Sequence, residues 1–464
     1  RQPGPSAVAD RYKFVTPPLP APPTHLARGL LGSLPHFRRD PLALLLRSLR
    51  NDGDVVRFRM FTWSLILVAH PRHVRRVMQE HAANYNKQTR GFQVLRTFLR
   101  EGLLTSEGEH WLRQRRIAQP GFHQDRIAGF GTTMTRATED LVDRWLHAGT
   151  DTVDVTADMM RLTLRIVGET LLSTDVSQES DRVGRALHVA VRAANDAIGQ
   201  VIAPPAWWPS QRNRALRDAL QTLDAVILDI ISARRRADEP ADDLLSMLMQ
   251  ARDEDTGLGM SDAQLRDEAM TIFLAGHETT AIALGWTWHL LAAHPDVRRR
   301  VEEEVDAVLG QRRPVVADLQ QLSYVEQVVK ESMRLYPPVW AMSRCAIKDD
   351  VIGGFRIPAG STVLISPYVT HRHPEFWPDP ERFDPNRFDP TRSVERSPFA
   401  HFPFGGGPRQ CIGNSFAMME LVLVVATIAQ RCRLDAPPGG NIIGTQPSIT
   451  LRPAEPIRMR VSAR

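Results

Sequence analysis

Cys411 lies in a glycine-rich loop directly before a long apolar segment, and this arrangement constrains the chain more than any other feature. The loop is Phe404-Gly-Gly-Gly-Pro-Arg-Gln-Cys-Ile-Gly413, and the apolar run over residues 414–430 predicts a helix. The three consecutive glycines allow a sharp turn and a close approach of the backbone to a flat cofactor. The helix N-terminus faces the sulfur, so we expect it to lower the pKa of the Cys411 thiol. A metal-ligating thiolate is the functional interpretation, and a buried structural cysteine is the alternative.

A second group of polar residues lies inside the longest predicted helix, over residues 261–291, which is apolar on most faces in its middle. The segment Ala275-Gly-His-Glu-Thr-Thr280 carries an acid and a hydroxyl there, and both are costly to bury unless they are used. The Thr279 hydroxyl can bond a carbonyl one turn back, and Gly276 removes side-chain bulk beside it. Together they would open a notch for a molecule the size of water or O2, and Glu278 could supply protons to it. A buried threonine satisfied by its own backbone is the alternative.

Two pairs of residues, each containing an arginine, have a spacing that places both members on the same face of a helix. Glu331 and Arg334 are three residues apart in a predicted helix over 324–335, and Trp111 and Arg115 are four residues apart. Arginine suits the recognition of carboxylates because its fork is planar and always charged. A solvated ion pair and a core tryptophan beside a surface arginine are the respective alternatives.

The remaining local patterns indicate a mainly helical chain with short β-rich patches. Apolar residues recur at helical spacing over residues 42–50, 71–80, 109–118, 126–147, 155–172, 182–202, 212–236 and 242–251. The longest helix begins with a capping box formed by Ser261 and Gln264. Strand-like runs occupy residues 55–68, 351–366 and 444–451. The prolines of segment 204–209 must interrupt the helices on either side.

Composition excludes several classes of protein. The 464 residues are 42% hydrophobic and 24% charged, which is typical of a globular protein with a large core. Three cysteines without metal-site spacing fit a reducing, cytoplasmic compartment rather than a disulfide framework. We expect no membrane span in this chain, because no window is cleanly apolar over the required length. The net charge of +5 comes from dispersed arginines without interleaved aromatic residues, which argues against nucleic-acid binding.

These motifs together resemble one family. The loop around Cys411 matches Phe-x-x-Gly-x-Arg-x-Cys-x-Gly, the signature of the cytochrome P450 family, at all five fixed positions. The segment Ala275-Gly-His-Glu-Thr-Thr280 resembles the oxygen-activation motif of that family, and five motifs follow in its order between residues 17 and 460. The resemblance implies a mainly α fold with a small β-rich N-terminal lobe and a long central helix over haem. We therefore expect a flexible tail at residues 1–16 and a single haem-thiolate domain at residues 17–464.

The resemblance also implies a role for each motif residue. Cys411 would be the axial ligand of the iron of haem b, and Glu278 and Thr279 would be the catalytic pair that supplies protons. The other cofactor-binding residues implied by the family, several of them contacts to the haem propionates, are Trp111, Arg115, Arg344, Arg409, Phe404 and Ala275.

A buried network of one glutamate and two arginines would hold the cysteine loop in place. In the family, a Glu-x-x-Arg pair is closed by an arginine from a later Pro-Glu-Arg-Phe segment. Here the pair is Glu331 and Arg334, and the later segment is Pro380-Glu-Arg-Phe383, so Arg382 is the expected third member.

By resemblance, the chain is a bacterial-type haem-thiolate monooxygenase, an oxidoreductase that inserts one atom of O2 into a C–H or C=C bond of an apolar small molecule. The expected substrates are terpenoids, macrolide-type or other secondary metabolites, and fatty acids. No reductase sequence follows the last strand signal, so a separate ferredoxin or flavodoxin with its NAD(P)H-dependent reductase is expected to supply electrons. Arg113 and Arg116, on the predicted helix that carries Trp111, are the expected docking residues. A non-catalytic haem-thiolate sensor or ligand carrier is the alternative.

Overall fold

The computed structural model describes residues 19–25, 29–149, 151–172, 180–199, 208, 210–236, 243–253, 256–393, 396–440 and 443–464. The α-helices, numbered in chain order, are α1 (Leu34–Arg39), α2 (Pro41–Asp52), α3 (Pro71–Arg75), α4 (Arg90–Leu99), α5 (Gly108–Ala118), α6 (Gln124–Ala128), α7 (Gly131–His147), α8 (Val155–Leu171), α9 (Ser180–Gly199), α10 (Gln211–Arg236), α11 (Leu244–Gln250), α12 (Asp262–Ala293), α13 (Pro295–Leu309), α14 (Ser323–Leu335), α15 (Pro367–Thr370), α16 (Pro390–Ser393) and α17 (Asn414–Arg431). A π-helical turn, Arg76–Glu80, follows α3, and short 3₁₀ turns are Ala82–Asn84, Gln119–Phe122, Val316–Gln320, Pro385–Phe388, Pro398–Ala400 and Gly407–Arg409.

The strands are short and are distributed over several small sheets. In chain order they are β1 (Thr24–His25), β2 (Val55–Met60), β3 (Trp63–Val68), β4 (Tyr85–Asn86), β5 (Thr152–Asp154), β6 (Met342–Ala346), β7 (Asp350–Ile352), β8 (Phe355–Ile357), β9 (Thr362–Ile365), β10 (Cys432–Asp435), β11 (Thr445–Pro447), β12 (Leu451–Pro453) and β13 (Arg458–Ala463). The main sheet has the order β1-β2-β3-β9-β6-β4, and the others are β10-β13-β5, β11-β12 and β7-β8.

The longest helix, α12, confirms the prediction made for residues 261–291. It spans 32 residues, which is about 48 Å at 1.5 Å per residue. The Ser261 hydroxyl accepts the Gln264 backbone N–H at 3.3 Å, and the Gln264 side chain accepts the Ser261 backbone N–H at 3.0 Å, so the capping box is formed. Most of the helix is buried because it is apolar on nearly every face.

The other predicted helices are confirmed with small changes of boundary. The predicted helix over 126–147 is divided into α6 and α7, and the one over 71–80 becomes α3 and the π-helical turn. Helices α4 and α13 were not among the predicted elements. The predicted tail at 1–16 and, apart from Trp208, the proline break at 204–209 lie outside the described residues. The division into a tail and one domain stays a prediction.

The fold is mainly α with a small β lobe, as predicted, but that lobe is not only N-terminal. Strands β2 and β3 form a hairpin, and β3 pairs in parallel with β9, which pairs with β6. Because β6 and β9 come from the later half of the chain, the sheet joins two distant parts of the sequence. One of these pairings, β4 with β6, brings the segment before α4 next to Arg344.

The hydrophobic core lies around α12 and α17, which pack against each other and against α14. Helix α17 is apolar over most of its length, so its N-terminus is held at a defined place inside the helical body. Among the described residues, no helix is long and apolar enough to cross a membrane.

Candidate active site

The cysteine loop is a tight turn stabilised by backbone hydrogen bonds. The Cys411 backbone N–H donates to the Phe404 carbonyl at 2.9 Å, and α17 begins three residues later. Gly405 and Gly407 have φ of 70° and 65°, which confirms the sharp turn. A Cβ at Gly407 would lie 1.9 Å from the Met78 carbonyl oxygen. The close approach expected between this loop and a cofactor is therefore, at Gly407, an approach to the protein's own backbone.

The thiol of Cys411 is accessible, although the protein surrounds it densely at longer range. Burial raises its pKa, while the Gly413 backbone N–H and the Arg115 guanidinium act in the opposite direction without outweighing it. The N-terminus of α17 therefore lowers the pKa of Cys411 through Gly413, as predicted, but burial is the larger effect and the net shift is upward. A bound metal cation deprotonates a coordinating thiol outright. The deprotonation of Cys411 would therefore be caused by the bound metal rather than by the surrounding protein groups.

Helix α12 exposes one narrow face in its buried middle. Ala275 is exposed and Thr279, one turn later, is half-buried, whereas Leu274 and His277 are buried. The Thr279 hydroxyl donates to the Ala275 carbonyl at 2.9 Å, which confirms the predicted bond one turn back. Gly276 contributes differently from the prediction, because a Cβ there would lie 3.1 Å from Val167 on α8. Its small size thus serves the packing of α8 on α12.

Glu278 is buried and ion-paired. Its carboxylate accepts hydrogen bonds from the Arg452 guanidinium, at 2.6 Å from Nη2, and from the Thr450 hydroxyl at 2.6 Å. An acid inside an apolar helix is tolerated when it is paired and hydrogen-bonded in this way. Sequence analysis singled out Glu278 but not its two partners, which lie on the C-terminal hairpin.

A cluster of cations gathers beside the cysteine loop. Arg344 and Lys87 are buried next to each other because β4 pairs with β6, and Arg409 completes the group. Burial lowers the pKa of Arg344 to about 10 and that of Lys87 well below its ordinary value, with the neighbouring arginines acting in the same direction on Lys87. Among the residues that the structure describes, Glu107 is the one carboxylate that pairs with the cluster, through Arg409 Nη2 at 2.9 Å. The cluster, with more cations than carboxylates, suits an anionic ligand.

The tryptophan and arginine predicted on one face of a helix both reach this region from α5. The Arg409 guanidinium lies over the Trp111 ring at 3.7 Å from its centroid, which is a cation–π contact. Arg115 Nη1 donates to the Gln410 carbonyl at 3.0 Å, next to Cys411. The structure therefore brings together Trp111, Arg115, Arg344, Arg409, Phe404 and Cys411, which sequence analysis had selected from separate motifs.

Lys87 is a further functional candidate that sequence analysis missed. Its Nζ donates to the Leu104 carbonyl at 2.5 Å and lies over the Phe92 ring at 5.2 Å from the centroid. No local sequence pattern marks this lysine, because its position follows from the pairing of two strands that are far apart in the chain.

The network that supports the loop contains a different arginine from the predicted one. Arg334 makes a bidentate ion pair with Glu331, at 2.7 and 2.8 Å, and both side chains are fully buried. Arg387 places Nε 3.4 Å from Glu331 Oε1. Arg382 is exposed and offers only its carbonyl to Arg334, at 3.1 Å. The assignment of Arg382 was therefore wrong, because the chain repeats the pattern Pro-x-Arg-Phe five residues later.

This network reaches the cysteine loop through a histidine. Arg334 Nη1 donates to the His371 carbonyl at 3.0 Å, and the His371 ring accepts the Phe402 backbone N–H at 3.0 Å. Burial lowers the pKa of His371 well below its usual value, so the ring stays neutral and keeps an acceptor nitrogen. The ion pair thus fixes the segment that leads into Phe404.

Arg113 and Arg116, which were predicted to bind an electron donor, instead form hydrogen bonds and an ion pair within the protein. Arg113 Nη2 donates to the carbonyls of Leu258 and Gly259, at 3.1 and 2.7 Å. Arg116 pairs with the buried carboxylate of Asp253 at 3.0 Å. Both side chains therefore hold the loop between α11 and α12 against α5, and the prediction of a free docking face at these residues is not supported.

The residues present fit a haem. The accessible thiol lies at the start of α17 and the exposed alanine on the buried helix α12, and the cationic cluster from the main sheet lies beside the cysteine loop. A flat macrocycle with two carboxylates would satisfy this combination, with Cys411 toward the iron and the cluster toward the propionates. The fold and the site together define a haem-thiolate enzyme.

Comparison with known proteins gives the same result. The cytochrome P450 family model matches residues 20–461, and the chain belongs to the cytochrome P450 family. It is 38% identical to cyclooctatin synthase of Streptomyces melanosporofaciens, over 93% of each chain. It is 36% identical to cyclooctat-9-en-7-ol 5-monooxygenase of the same organism, over 89% of each chain. It is 33% identical to pentalenene oxygenase of Streptomyces avermitilis, over 94% of this chain and 96% of the relative.

Family membership establishes the class of reaction. The protein is a haem-thiolate monooxygenase, an oxidoreductase whose cofactor is haem b. It uses O2, an apolar substrate and electrons from a redox partner. The alternative of a non-catalytic sensor or carrier loses its support, since the named relatives are oxygenases.

Proposed function

We propose that this chain oxidises a terpenoid, with Cys411 as the thiolate ligand of the haem iron. The observation that carries this proposal is the accessible thiol at the start of α17 beside the cationic cluster. The terpenoid assignment is supported by the relatives whose names give cyclooctat-9-en-7-ol and pentalenene as substrates. The roles of individual residues follow from the contacts described above.

The residues of this chain would position the reactants and move protons. When bound, haem supplies the oxidising chemistry. Lys87, Arg344 and Arg409 would bind the propionates by charge-assisted hydrogen bonds. The Thr279 hydroxyl lies on the accessible face of α12, so it can hold a water molecule there. Glu278, the preceding residue, would exchange protons between that water and the protein surface.

The first experiment tests the thiolate ligand. Cys411→Ser should remove the red-shifted Soret band that a thiolate ligand produces in the reduced CO complex, with little change in volume. Cys345→Ser and Cys432→Ser are matched controls, because these two cysteines are also unpaired. Loss of the band through loss of the ligand in either control would contradict the assignment of Cys411.

The second experiment tests the hydroxyl on the accessible face of α12. Thr279→Ala should keep haem binding but divert NADPH to peroxide, with product per NADPH falling about 10²-fold. Thr280→Ala is the matched control, because its hydroxyl donates to the Gly276 carbonyl at 3.1 Å from a buried position. Equal yields of product per NADPH in the wild type and Thr279→Ala would refute the role.

The third experiment tests the substrate class. The ferric protein should give a high-spin shift with cyclooctat-9-en-7-ol or pentalenene, and a weaker one with a steroid, a fatty acid or a macrolactone. A shift with the fatty acid alone would contradict the terpenoid assignment.

The electron donor that we propose is an acidic ferredoxin or flavodoxin, which would dock at a groove beside the cysteine loop. Arg75, Gln79 and Gln410 line this groove together with Gly405 to Gly407. The groove lies directly against the loop that carries Cys411, so the path for electrons is short. Arg75 is half exposed and supplies the positive charge, although it pairs with Glu80 at 3.2 Å.

A charge reversal tests this docking surface. Arg75→Glu should slow reduction by a plant-type ferredoxin, mainly through the association rate, and should weaken the dependence of that rate on salt. Arg236→Glu, at the exposed end of α10, is the control. Equal rates and equal salt dependence in both variants, measured by stopped flow, would place the docking surface elsewhere.

A further inference from the structure

The carboxylate of Glu278 is bound from outside its own helix, by the hairpin of β11 and β12. Arg452 on β12 donates to Glu278 Oε1 from Nε at 3.0 Å and from Nη2 at 2.6 Å. The Thr450 hydroxyl donates to the same oxygen at 2.6 Å. Within the part of the chain that the structure describes, no hydrogen bond to Glu278 Oε2 is recorded. One carboxylate oxygen is therefore held by three donors, and the other remains available to a proton.

The hairpin is itself fixed in place at several points. Trp286, two turns along α12 from Glu278, donates from Nε1 to the Leu451 carbonyl at 3.0 Å. The Leu451 backbone N–H donates to the Pro338 carbonyl at 2.9 Å, and Trp340 Nε1 donates to the Ser448 carbonyl at 2.7 Å. A donor group held on a rigid element keeps its geometry during a reaction. The hairpin therefore presents Arg452 to the carboxylate in a fixed position.

The charges around Glu278 make the guanidinium important. The side chains of Glu278 and Arg452 are 8% and 19% exposed, so their attraction is only weakly screened. The neighbouring His277 does not supply a second cation, because burial lowers its pKa and keeps the ring neutral. When a buried acid releases a proton, it leaves a negative charge that is costly without a partner. Arg452 stabilises that charge at the position where it forms.

We propose that Arg452 and Thr450 are positioning residues for the proton donor of this enzyme. They hold Glu278 by Oε1, so that Oε2 accepts a proton from the solvent side and releases it toward the accessible face of α12. The guanidinium stabilises the carboxylate that remains after each release. This inference rests on the proposed role of Glu278.

The test does not need an identified substrate. With NADPH, a plant-type ferredoxin and its reductase, the enzyme without substrate reduces O2 either to hydrogen peroxide, with one NADPH and one proton, or to two waters, with two NADPH and two protons. Arg452→Gln should slow O2 consumption about tenfold, shift it toward peroxide and increase the solvent deuterium isotope effect, since proton transfer becomes more limiting. Arg452→Lys should recover much of the rate, because it restores the positive charge.

A second readout is independent of turnover. In infrared difference spectra, the wild type should show Glu278 as a carboxylate, and Arg452→Gln should gain the band of a protonated carboxylic acid. That band is assigned by its loss in the double variant with Glu278→Gln. A residue that merely braced the hairpin would not move this band.

Two further variants keep the proposal falsifiable. Thr450→Val removes one donor without changing the shape of the side chain, so it should act in the same direction more weakly if Arg452→Gln folds poorly. Arg298→Gln breaks an ion pair with Asp435, 2.6 Å long, elsewhere in the protein and is the control for general loss of stability. If Arg452→Gln and Thr450→Val both keep the wild-type isotope effect and infrared bands while Glu278→Gln alters them, this inference alone is overturned. Unaltered turnover in Glu278→Gln would instead overturn the proposed role of Glu278.

Discussion

Replacing Arg387 should loosen the cysteine loop, whereas replacing Arg382 should not. Arg387 places Nε 3.4 Å from the fully buried carboxylate of Glu331, and its own side chain is 11% exposed. Burial raises the pKa of Glu331, and the Arg334 and Arg387 guanidinium groups oppose that effect. Removing Arg387 therefore leaves part of a buried negative charge without compensation.

The expected magnitude follows from what remains after the substitution. Removing one partner of a buried ion pair costs about 3–5 kcal/mol. Glu331 keeps its bidentate bonds to Arg334, so we expect roughly half of that loss, about 2 kcal/mol, for Arg387→Ala. With an unfolding entropy of about 1 kcal/mol/K for a chain of this length, Tm should fall by about 2 °C. Arg382→Ala removes an exposed side chain and keeps the carbonyl, so its effect should stay within about 0.5 kcal/mol.

The assay compares the two variants in the holoenzyme. Thermal unfolding and the rate of haem transfer to apomyoglobin should both change in Arg387→Ala, because the network leads through His371 to the segment before Phe404. Both quantities should match the wild type in Arg382→Ala. The reverse result would mean that Arg382 is the third member of the network after all.

Three other changes have expected outcomes. Burial raises the pKa of Glu268 to about 8 from 4.5, so the native state holds this proton more tightly and stability is lost as pH rises from 4.5 to 8. Glu268→Gln should abolish roughly 3–5 kcal/mol of that loss, measured by urea unfolding at several pH values. A pH dependence that stays unchanged in this variant would contradict the prediction. Lys87→Met should speed haem transfer to apomyoglobin about tenfold relative to the exposed control Lys348→Met, and equal rates would exclude Lys87 from the cofactor site. Gly407→Ala should prevent haem incorporation, judged by the CO complex, because a Cβ there meets backbone at 1.9 Å, while Gly354→Ala, with positive φ but open space, should lose stability only modestly.

Short sequence patterns correctly predicted the structural features that depend only on residues close together in the chain. The capping box at Ser261 and the apolar composition of the following turns depend on residues within a few positions of each other, so α12 was predicted to within two residues at its C-terminus. The strand-like run over residues 55–68, which forms β2 and β3, and the hydrogen bond from Thr279 to Ala275 were predicted for the same reason. The cysteine motif was recognisable because its five fixed positions lie within ten consecutive residues.

Local patterns failed where a side chain is used by a distant part of the chain. Arg113 and Arg116 have the spacing of a solvated face, yet the loop before α12 packs over them and takes up their donors. Arg382 and Arg387 occupy similar short motifs, and only the packing of the segment against α14 decides which guanidinium reaches Glu331.

The sequence by itself determined the class of this protein: a helical body, a cysteine loop at the start of an apolar helix, and an acid beside a hydroxyl in the longest helix. Each of these is encoded in a short run of residues, because helix caps, helical periodicity and a glycine turn are short-range effects. The tertiary structure alone decided the electrostatics of the site. Lys87 becomes a cofactor candidate through the pairing of β4 with β6, and Glu278 acquires Arg452 through the C-terminal hairpin. Charges act through space and burial, and neither quantity can be calculated before the distant segments have been brought together.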